Sequence, residues 1–251
     1  MRQVVLDQMD ELGLKNMRQA LQRQLESPNH ADRSFEERLL ELIEYERVER
    51  DDRRMKERIR KAGFSLTARL EELDAATARG IDRGTLEFLG QDSWVKEHRN
   101  ALVVGATGVG KTFLASALAH RACQFGFNAR FFRLPRLLQD MEMARAAGSY
   151  RNRLASLARV DVLVLDDWGL APLDPAARRD LLEILDDRYQ KKSTVIAAQL
   201  PVENWHDWIA DPALADAILD RIVHNAYSIH LKGESQRKTR GLKRNVTPQE
   251  G

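Results

Sequence analysis

Apolar residues Leu6, Met9, Leu12, Leu14, Met17, Leu21 and Leu25 open the chain at helical spacing, which predicts a short helical pair or a bent helix interrupted near Gly13. Ser27-Pro28-Asn29 breaks that pattern. Ser34, followed three residues later by Glu37, is a capping-box signature for a second helix running towards Lys61. The first half of this helix offers Phe35, Leu39, Leu40, Leu42 and Ile43 to a core. From Glu49 to Lys61 both signs of charge alternate along it, with Arg50, Arg53, Arg54, Arg58 and Arg60 among them. That pattern fits a solvated face laced with i,i+4 pairs, or arginines that meet nucleic-acid phosphates. Ala62-Gly63-Phe64-Ser65 ends the helix, and Leu66 to Ala78 reads as a further short helical segment before Gly80.

From Asn100 the period changes. Apolar runs at Ala101–Val104, Asn128–Phe132, Val160–Leu165, Ser193–Gln199 and Tyr227–Leu231 predict strands. They alternate with helical stretches at Phe113–Phe125, Pro135–Ala147, Asp174–Lys191 and Leu214–Asn225. Such alternation is the signature of a parallel sheet covered on both faces, an α/β fold preceded by a small all-α domain. The expected boundaries are an N-terminal helical domain over 1–65, a connecting helical segment over 66–95, a core over 96–232 and a basic tail over 233–251. Thr85 to His98 is expected to pack beside a bound base, although no base-reading motif is present there.

Composition narrows the class. The 251 residues are 43% hydrophobic, enough for a substantial core, and the formal net charge is only +2. No run of about 18 apolar residues occurs, and the first twenty residues carry charges throughout, so neither a membrane span nor a signal peptide is expected and the cytoplasm is the default location. The single cysteine, Cys123, excludes an internal disulfide and a cysteine zinc site, and reads as a small core residue.

Chemistry concentrates at Gly105-Ala106-Thr107-Gly108-Val109-Gly110-Lys111-Thr112, which fits the phosphate-binding pattern G-x-x-x-x-G-K-[ST] between a strand and a helix. Glycines let the backbone approach an anion closely, so that consecutive N–H groups and the helix N-terminus face it. Lys111 would reach the β and γ phosphates and Thr112 would hold Mg²⁺. About fifty residues on, Val162-Leu163-Val164-Leu165-Asp166-Asp167 is an apolar strand ending in two acids, the shape of a Walker B element. Asp166 would hold Mg²⁺ through water, and Asp167 would orient or deprotonate the attacking water. Gln199, at the end of the fourth strand, is placed either to contact the γ-phosphate or water, or to satisfy loop backbone groups.

The Walker pair, together with Asp166-Asp167-Trp168-Gly169-Leu170, Leu200-Pro201-Val202-Glu203-Asn204-Trp205-His206 and Leu214-Ala215-Asp216-Ala217-Ile218-Leu219-Asp220-Arg221, resembles the IstB-type transposition helper ATPases of bacterial insertion sequences, along essentially the whole chain. That resemblance implies an AAA+ fold related to the DnaC-type helicase loaders, ATP and Mg²⁺ as cofactors, and a homo-oligomeric ring or spiral. It further implies double-stranded DNA and a cognate transposase as partners, with the helper remodelling target DNA and stimulating the transposase. Lys111 and Thr112 fall at the phosphate-loop positions, Asp166 at the metal-holding acid, Asp167 at the catalytic acid and Gln199 at the first sensor. Arg221 falls at the arginine finger and Arg237 resembles a second sensor. By spacing alone Arg221 reads as a surface ion pair, the commoner role of an arginine in an amphipathic helix; the resemblance is what favours the finger. Asp167 stands where the wider class has Glu, one methylene longer, and Gln199 where Asn is common. The short tail after Leu231 leaves little or no helical lid.

Arg133, Arg136, Arg145, Arg151 and Arg153 follow the second strand, in a region that the resemblance turns towards a central channel. They are candidates for sequence-tolerant phosphate contacts, or an ordinary solvated helix face. The N-terminal helices are the second choice for DNA and read as a partner-docking module. Alternatives to the transposition helper are a replicative helicase loader, which would differ in what its N-terminal helices bind, and a small-molecule kinase using the same loop. The paired acids and the absence of a recognisable acceptor site weigh against the kinase.

Overall fold

A computed structural model of the chain describes residues 1–26, 33–73 and 81–233. It divides into two units, Met1–Glu57 and the chain from Arg58 onward.

In the first unit α1 (Arg2–Glu11) and α2 (Lys15–Glu26) are separated at Gly13, whose φ of 71° is the left-handed value that Gly adopts without cost. The long helix α3 (Phe35–Ala62) opens with the expected capping box: Ser34 N–H donates to the Glu37 carboxylate at 2.9 Å, and Glu37 N–H donates to Ser34 Oγ at 3.2 Å. Glu46 on α3 is buried, yet its carboxylate accepts the Asn16 and Met17 N–H groups at 2.9 Å each and pairs with Arg50. A carboxylate on two free N–H groups at the start of α2 satisfies the helix dipole and ties α2 to α3. Arg47–Glu44, Arg54–Asp51 and Lys56–Asp52 lie along α3 as i,i+3 and i,i+4 pairs.

The second unit is built on a five-stranded parallel sheet ordered β2-β3-β4-β1-β5. The strands are β1 (Asn100–Gly105), β2 (Ala129–Arg133), β3 (Val162–Trp168), β4 (Ser193–Ala198) and β5 (Ala226–Leu231). Alternate residues serve opposite faces, the strand period of two. Ala101, Val103, Val162, Val164, Val195 and Ala197 meet α6 (Lys111–Gln124), while Leu102, Val104, Leu163, Leu165, Ile196 and Ala198 belong to a second buried cluster. On that face lie α7 (Leu134–Ala146), α8 (Tyr150–Ala158), α9 (Pro175–Arg188), α10 (Trp205–Ile209) and α11 (Pro212–Val223). Ala115, Ala119 and Ala122 on α6 are buried, and their small side chains let that helix lie close to the sheet.

Several elements differ from expectation. The stretch from Leu66 holds only a 3-10 turn at Leu70–Glu72 among the described residues, and 74–80 lie outside them. Later in the expected connecting helical segment come two short helices, α4 (Arg83–Leu89) and α5 (Ser93–Lys96). Asp82 caps α4 by accepting the Thr85 N–H at 2.8 Å, and Leu89, Trp94 and Val95 are buried against the α6 side of the sheet. Tyr150 to Arg153 begins helix α8, which is not among the helical stretches predicted between the strands. Its apolar pair Leu154 and Leu157 is too short a stripe to announce a helix.

Arg188 is a buried cation with no carboxylate in hydrogen-bond contact among the described residues. It donates to the carbonyls of Leu157, Val160 and Ser193 and to Thr194 Oγ1, joining the end of α8 to the starts of β3 and β4. Burial lowers its pKa to about 9.

Candidate active site

The sequence-predicted loop lies between β1 and α6, at the C-terminal edge of the sheet, where ligands bind in open α/β folds. Gly108 and Gly110 have φ of 83° and 107°, values that an L side chain rarely adopts, so the loop can turn its N–H groups towards an anion. Gly105 is required for a different reason: a Cβ there would stand 2.5 Å from the Leu231 carbonyl oxygen of β5. Lys111 is buried, and its ammonium donates to the Ala106 carbonyl at 2.7 Å, folded back over the loop.

Strand β3 brings the two acids to this loop. The Thr112 hydroxyl donates to Asp166 Oδ2 at 3.0 Å, which joins two residues 54 positions apart. Burial pushes the Asp166 carboxyl above its ordinary pKa; the Thr112 hydroxyl and the Asp167 N–H pull it back, while the Asp167 charge adds to the rise. A hydroxyl and a carboxylate oxygen, the latter made costly to ionise by burial, are suited to a small hard cation shared with phosphate oxygens. The residues present therefore fit Mg²⁺ beside a triphosphate.

A β-bulge sets Asp167 apart from Asp166. Leu165 pairs with Ile196 but Trp168 with Ala198, so β3 holds one extra residue over this interval, and Asp167 has a φ of 59°. Bulges re-aim side chains beside functional sites, and Asp tolerates the left-handed region better than most residues. Asp167 faces Arg133 at the end of β2, with Arg133 Nε 3.7 Å from its carboxylate. Three tryptophans brace the next turn. The Trp168 ring lies 5.0 Å from Trp205 and 5.2 Å from Trp208, and these donate to the Leu200 and Ala171 carbonyls. Gly169, at φ 79°, has Leu200 Cβ only 2.9 Å from where its own Cβ would stand. The segment after β3 is thus packed onto the segment after β4, which starts at Gln199. Gln199 Oε1 in turn accepts from the Thr107 hydroxyl at 2.8 Å.

The structure brings together Gly105, Ala106, Thr107, Gly108, Val109, Gly110, Lys111, Thr112, Asp166, Asp167 and Gln199. It does not bring Arg221 to them. Asn100, the first residue of β1, donates to the Arg221 and Ile222 carbonyls, so Arg221 lies at the opposite end of β1 from the loop, roughly 16 Å away along the strand. Its guanidinium pairs with Asp186 at 2.6 Å and lies over the Tyr189 ring. Arg237 lies outside the described residues. Among the predicted DNA-contacting arginines, Arg145 is bound to the buried carboxylate of Asp180 and stacks on Tyr150, and Arg153 pairs with Asp140 at 3.1 Å. Arg136 and Arg151 are exposed, with no ion pair among the described residues, and Arg133 is exposed beside Asp167. The roles of Thr107 and of the tryptophan brace escaped the sequence because each depends on pairing between residues far apart in the chain.

Comparison with known proteins finds relatives described as ATP-binding. Residues 7–244 match the family described as IstB-like ATP binding protein. The insertion sequence ATP-binding protein y4uH of Sinorhizobium fredii is 41% identical over 235 residues, covering 94% of this chain and 95% of its own. The insertion sequence IS1162 ATP-binding protein of Pseudomonas fluorescens is 44% identical over 203 residues, covering 80% and 87% respectively. Among solved structures, the DnaC helicase loader aligns with a TM-score of 0.51 at 22% identity, over 70% of this chain and 99% of that one. AMPPCP-bound DnaA from Aquifex aeolicus aligns with a TM-score of 0.56 at 18% identity, over 75% and 58%. These structural likenesses show the AAA+ P-loop fold.

Proposed function

The chain belongs to the IstB-like ATP binding protein family of bacterial insertion sequences, and from that premise we propose that it is an ATP-hydrolysing helper of transposition. It assembles as a homo-oligomer on duplex DNA and recruits and stimulates the transposase of its element. The observation that carries the enzymatic part is the 3.0 Å contact between Thr112 and Asp166 beside the glycine loop and Lys111.

Each residue has a defined task. Lys111 exchanges the Ala106 carbonyl for phosphate oxygens, an anion in place of a neutral acceptor. Thr112 and Asp166 would hold Mg²⁺, which supplies neutralisation of charge on the β and γ oxygens. Asp167 accepts a proton from, or orients, the attacking water, and its short side chain favours slow turnover. Gln199 donates from its amide to the γ-phosphate or the water. Arg221 cannot reach the site of its own chain, and it serves the site of a neighbouring copy as the finger that meets charge developing on the γ-phosphoryl group. Until then it is held by Asp186, by the Tyr189 ring and by the Ala217 carbonyl.

DNA is contacted through phosphates by Arg133, Arg136 and Arg151, whose guanidinium groups are exposed, and less by Arg145 and Arg153, whose charges are taken up internally. Such contacts position without reading bases and weaken with salt.

The test is complementation between two inactive variants. Lys111→Ala cannot use its own site but retains the finger, and Arg221→Ala has the reverse defect. Each alone should hydrolyse little ATP on duplex DNA, and a mixture should recover part of the wild-type rate. Full turnover by Arg221→Ala alone would remove the finger, and no ATP hydrolysis by the wild type with duplex DNA and transposase would remove the reading.

A further inference from the structure

The bond between Thr107 and Gln199 has a chemical consequence that the phosphate-loop pattern does not contain. The third position of that pattern is an x, open to any side chain, because the loop binds phosphate with backbone N–H groups. Here the position carries a hydroxyl, and the hydroxyl is used. Thr107 Oγ1 donates to Gln199 Oε1 at 2.8 Å, linking the tip of the loop to the end of β4, 92 residues away.

The two partners meet because β1 and β4 are neighbours in register, Val104 opposite Ala198, so the loop leaving β1 and the residue leaving β4 emerge side by side. Neither side chain is held by packing, since both are exposed. A glutamine in such a place samples several rotamers, and its amide presents either an acceptor or a pair of donors to whatever lies before it. An anion or the lone pairs of water are met productively only by the donors. With the carboxamide oxygen engaged by the hydroxyl, the NH₂ end is the one left to face the cleft.

We infer that Thr107 is a positioning residue: it holds the Gln199 carboxamide by its oxygen so that the amide N–H groups point at the γ-phosphate or the attacking water. This rests on the ATPase reading above and assigns to the loop's third residue a function in turnover separate from its backbone's part in binding. The arrangement also reports on the loop. Lys111 holds the Ala106 carbonyl and Gln199 holds the neighbouring Thr107 hydroxyl, so a shift of this corner when phosphate enters moves the sensor side chain with it.

The experiment is a double-variant cycle on Thr107 and Gln199. Thr107→Val keeps the shape and the backbone N–H and deletes only the hydroxyl; Thr107→Ser restores it. For Thr107→Val, ATP affinity measured with Lys111→Ala as the non-binding control should stay within about twofold. Its kcat should fall about three- to tenfold, the worth of one hydrogen bond. Thr107→Ser should recover most of the rate. In a Gln199→Ala background the same Thr107→Val change should cost nothing further. A Thr107→Val variant with wild-type kcat, or with equal losses in both backgrounds, would overturn the assignment. A loss of ATP affinity as large as the loss of kcat would do so as well. Absence of turnover in the wild type itself would instead overturn the ATPase reading, so the two failures are distinguishable.

Discussion

Gly105→Ala is the smallest change that should separate the loop from its sheet. The new Cβ would stand 2.5 Å from the Leu231 carbonyl oxygen, 3.1 Å from Val109 Cγ2 and 3.2 Å from Leu231 Cβ. An ordinary carbon to carbonyl-oxygen contact is about 3.3 Å, so something must move by roughly 0.8 Å. The first obstacle is backbone of β5, held opposite Gly105 by the β1–β5 ladder, and cannot swing away as a side-chain tip can. The displacement therefore passes into the loop. Overpacking of this kind costs about 1–3 kcal/mol of stability, and a misplacement near 1 Å can cost up to about a hundredfold in a positioned reaction. Urea unfolding should show that loss with an unchanged slope, and titration with a fluorescent ATP analogue should show affinity weakened at least about tenfold. Gly84→Ala is the control, because its Cβ would meet only the end of the Asp82 side chain, at 3.2 Å. Wild-type stability and ATP affinity in Gly105→Ala would refute the close approach of β5 to the loop.

Three other outcomes are expected. Burial raises the Asp166 pKa in the fold, so its contribution to stability is present below the unfolded pKa and lost as pH rises through the folded one. At pH 7 without ligand, Asp166→Asn should raise the urea midpoint while Mg²⁺-ATP no longer stabilises it; a lowered midpoint would contradict the cause assigned. Arg188→Ala leaves three buried carbonyls without their donor and should cost more than about 3 kcal/mol in urea unfolding, whereas a loss under 1 kcal/mol would show that water replaces the guanidinium. The Cys123 thiol is pushed from 9.0 up to about 11 by burial, so its thiolate fraction near neutrality should be about a hundredfold below that of an exposed thiol. Its reaction with a disulfide reagent should be correspondingly slow in the native protein and fast in urea; equal rates would show an open site.

The parts of the fold written in local pattern were legible in advance. The loop from Gly105 to Thr112 declares itself because eight consecutive residues define its geometry, and β3 because its apolar run ends in Asp166-Asp167. The capping box at Ser34 and Glu37 and the break at Gly13 were readable for the same reason. Features that depend on distant partners were not. Arg145 and Arg153 look like free cations until Asp180 and Asp140 are brought beside them by the packing of α7, α8 and α9. The bulge at Asp167 is a property of two paired strands, invisible in either alone. Helix α8 was hidden because Arg151, Asn152 and Arg153 mask its brief apolar stripe. The Asp82-x-x-Thr85 cap could have revealed α4.

The central claim is that ATP held between Lys111 and Asp166 joins one subunit to the next along duplex DNA. It is tested most directly by weighing single particles of the wild type and of Lys111→Ala on a duplex, with and without Mg²⁺-ATP. The account predicts large assemblies only for the wild type with nucleotide, and monomers or small species in every other mixture. Assemblies of equal mass formed by Lys111→Ala would contradict it.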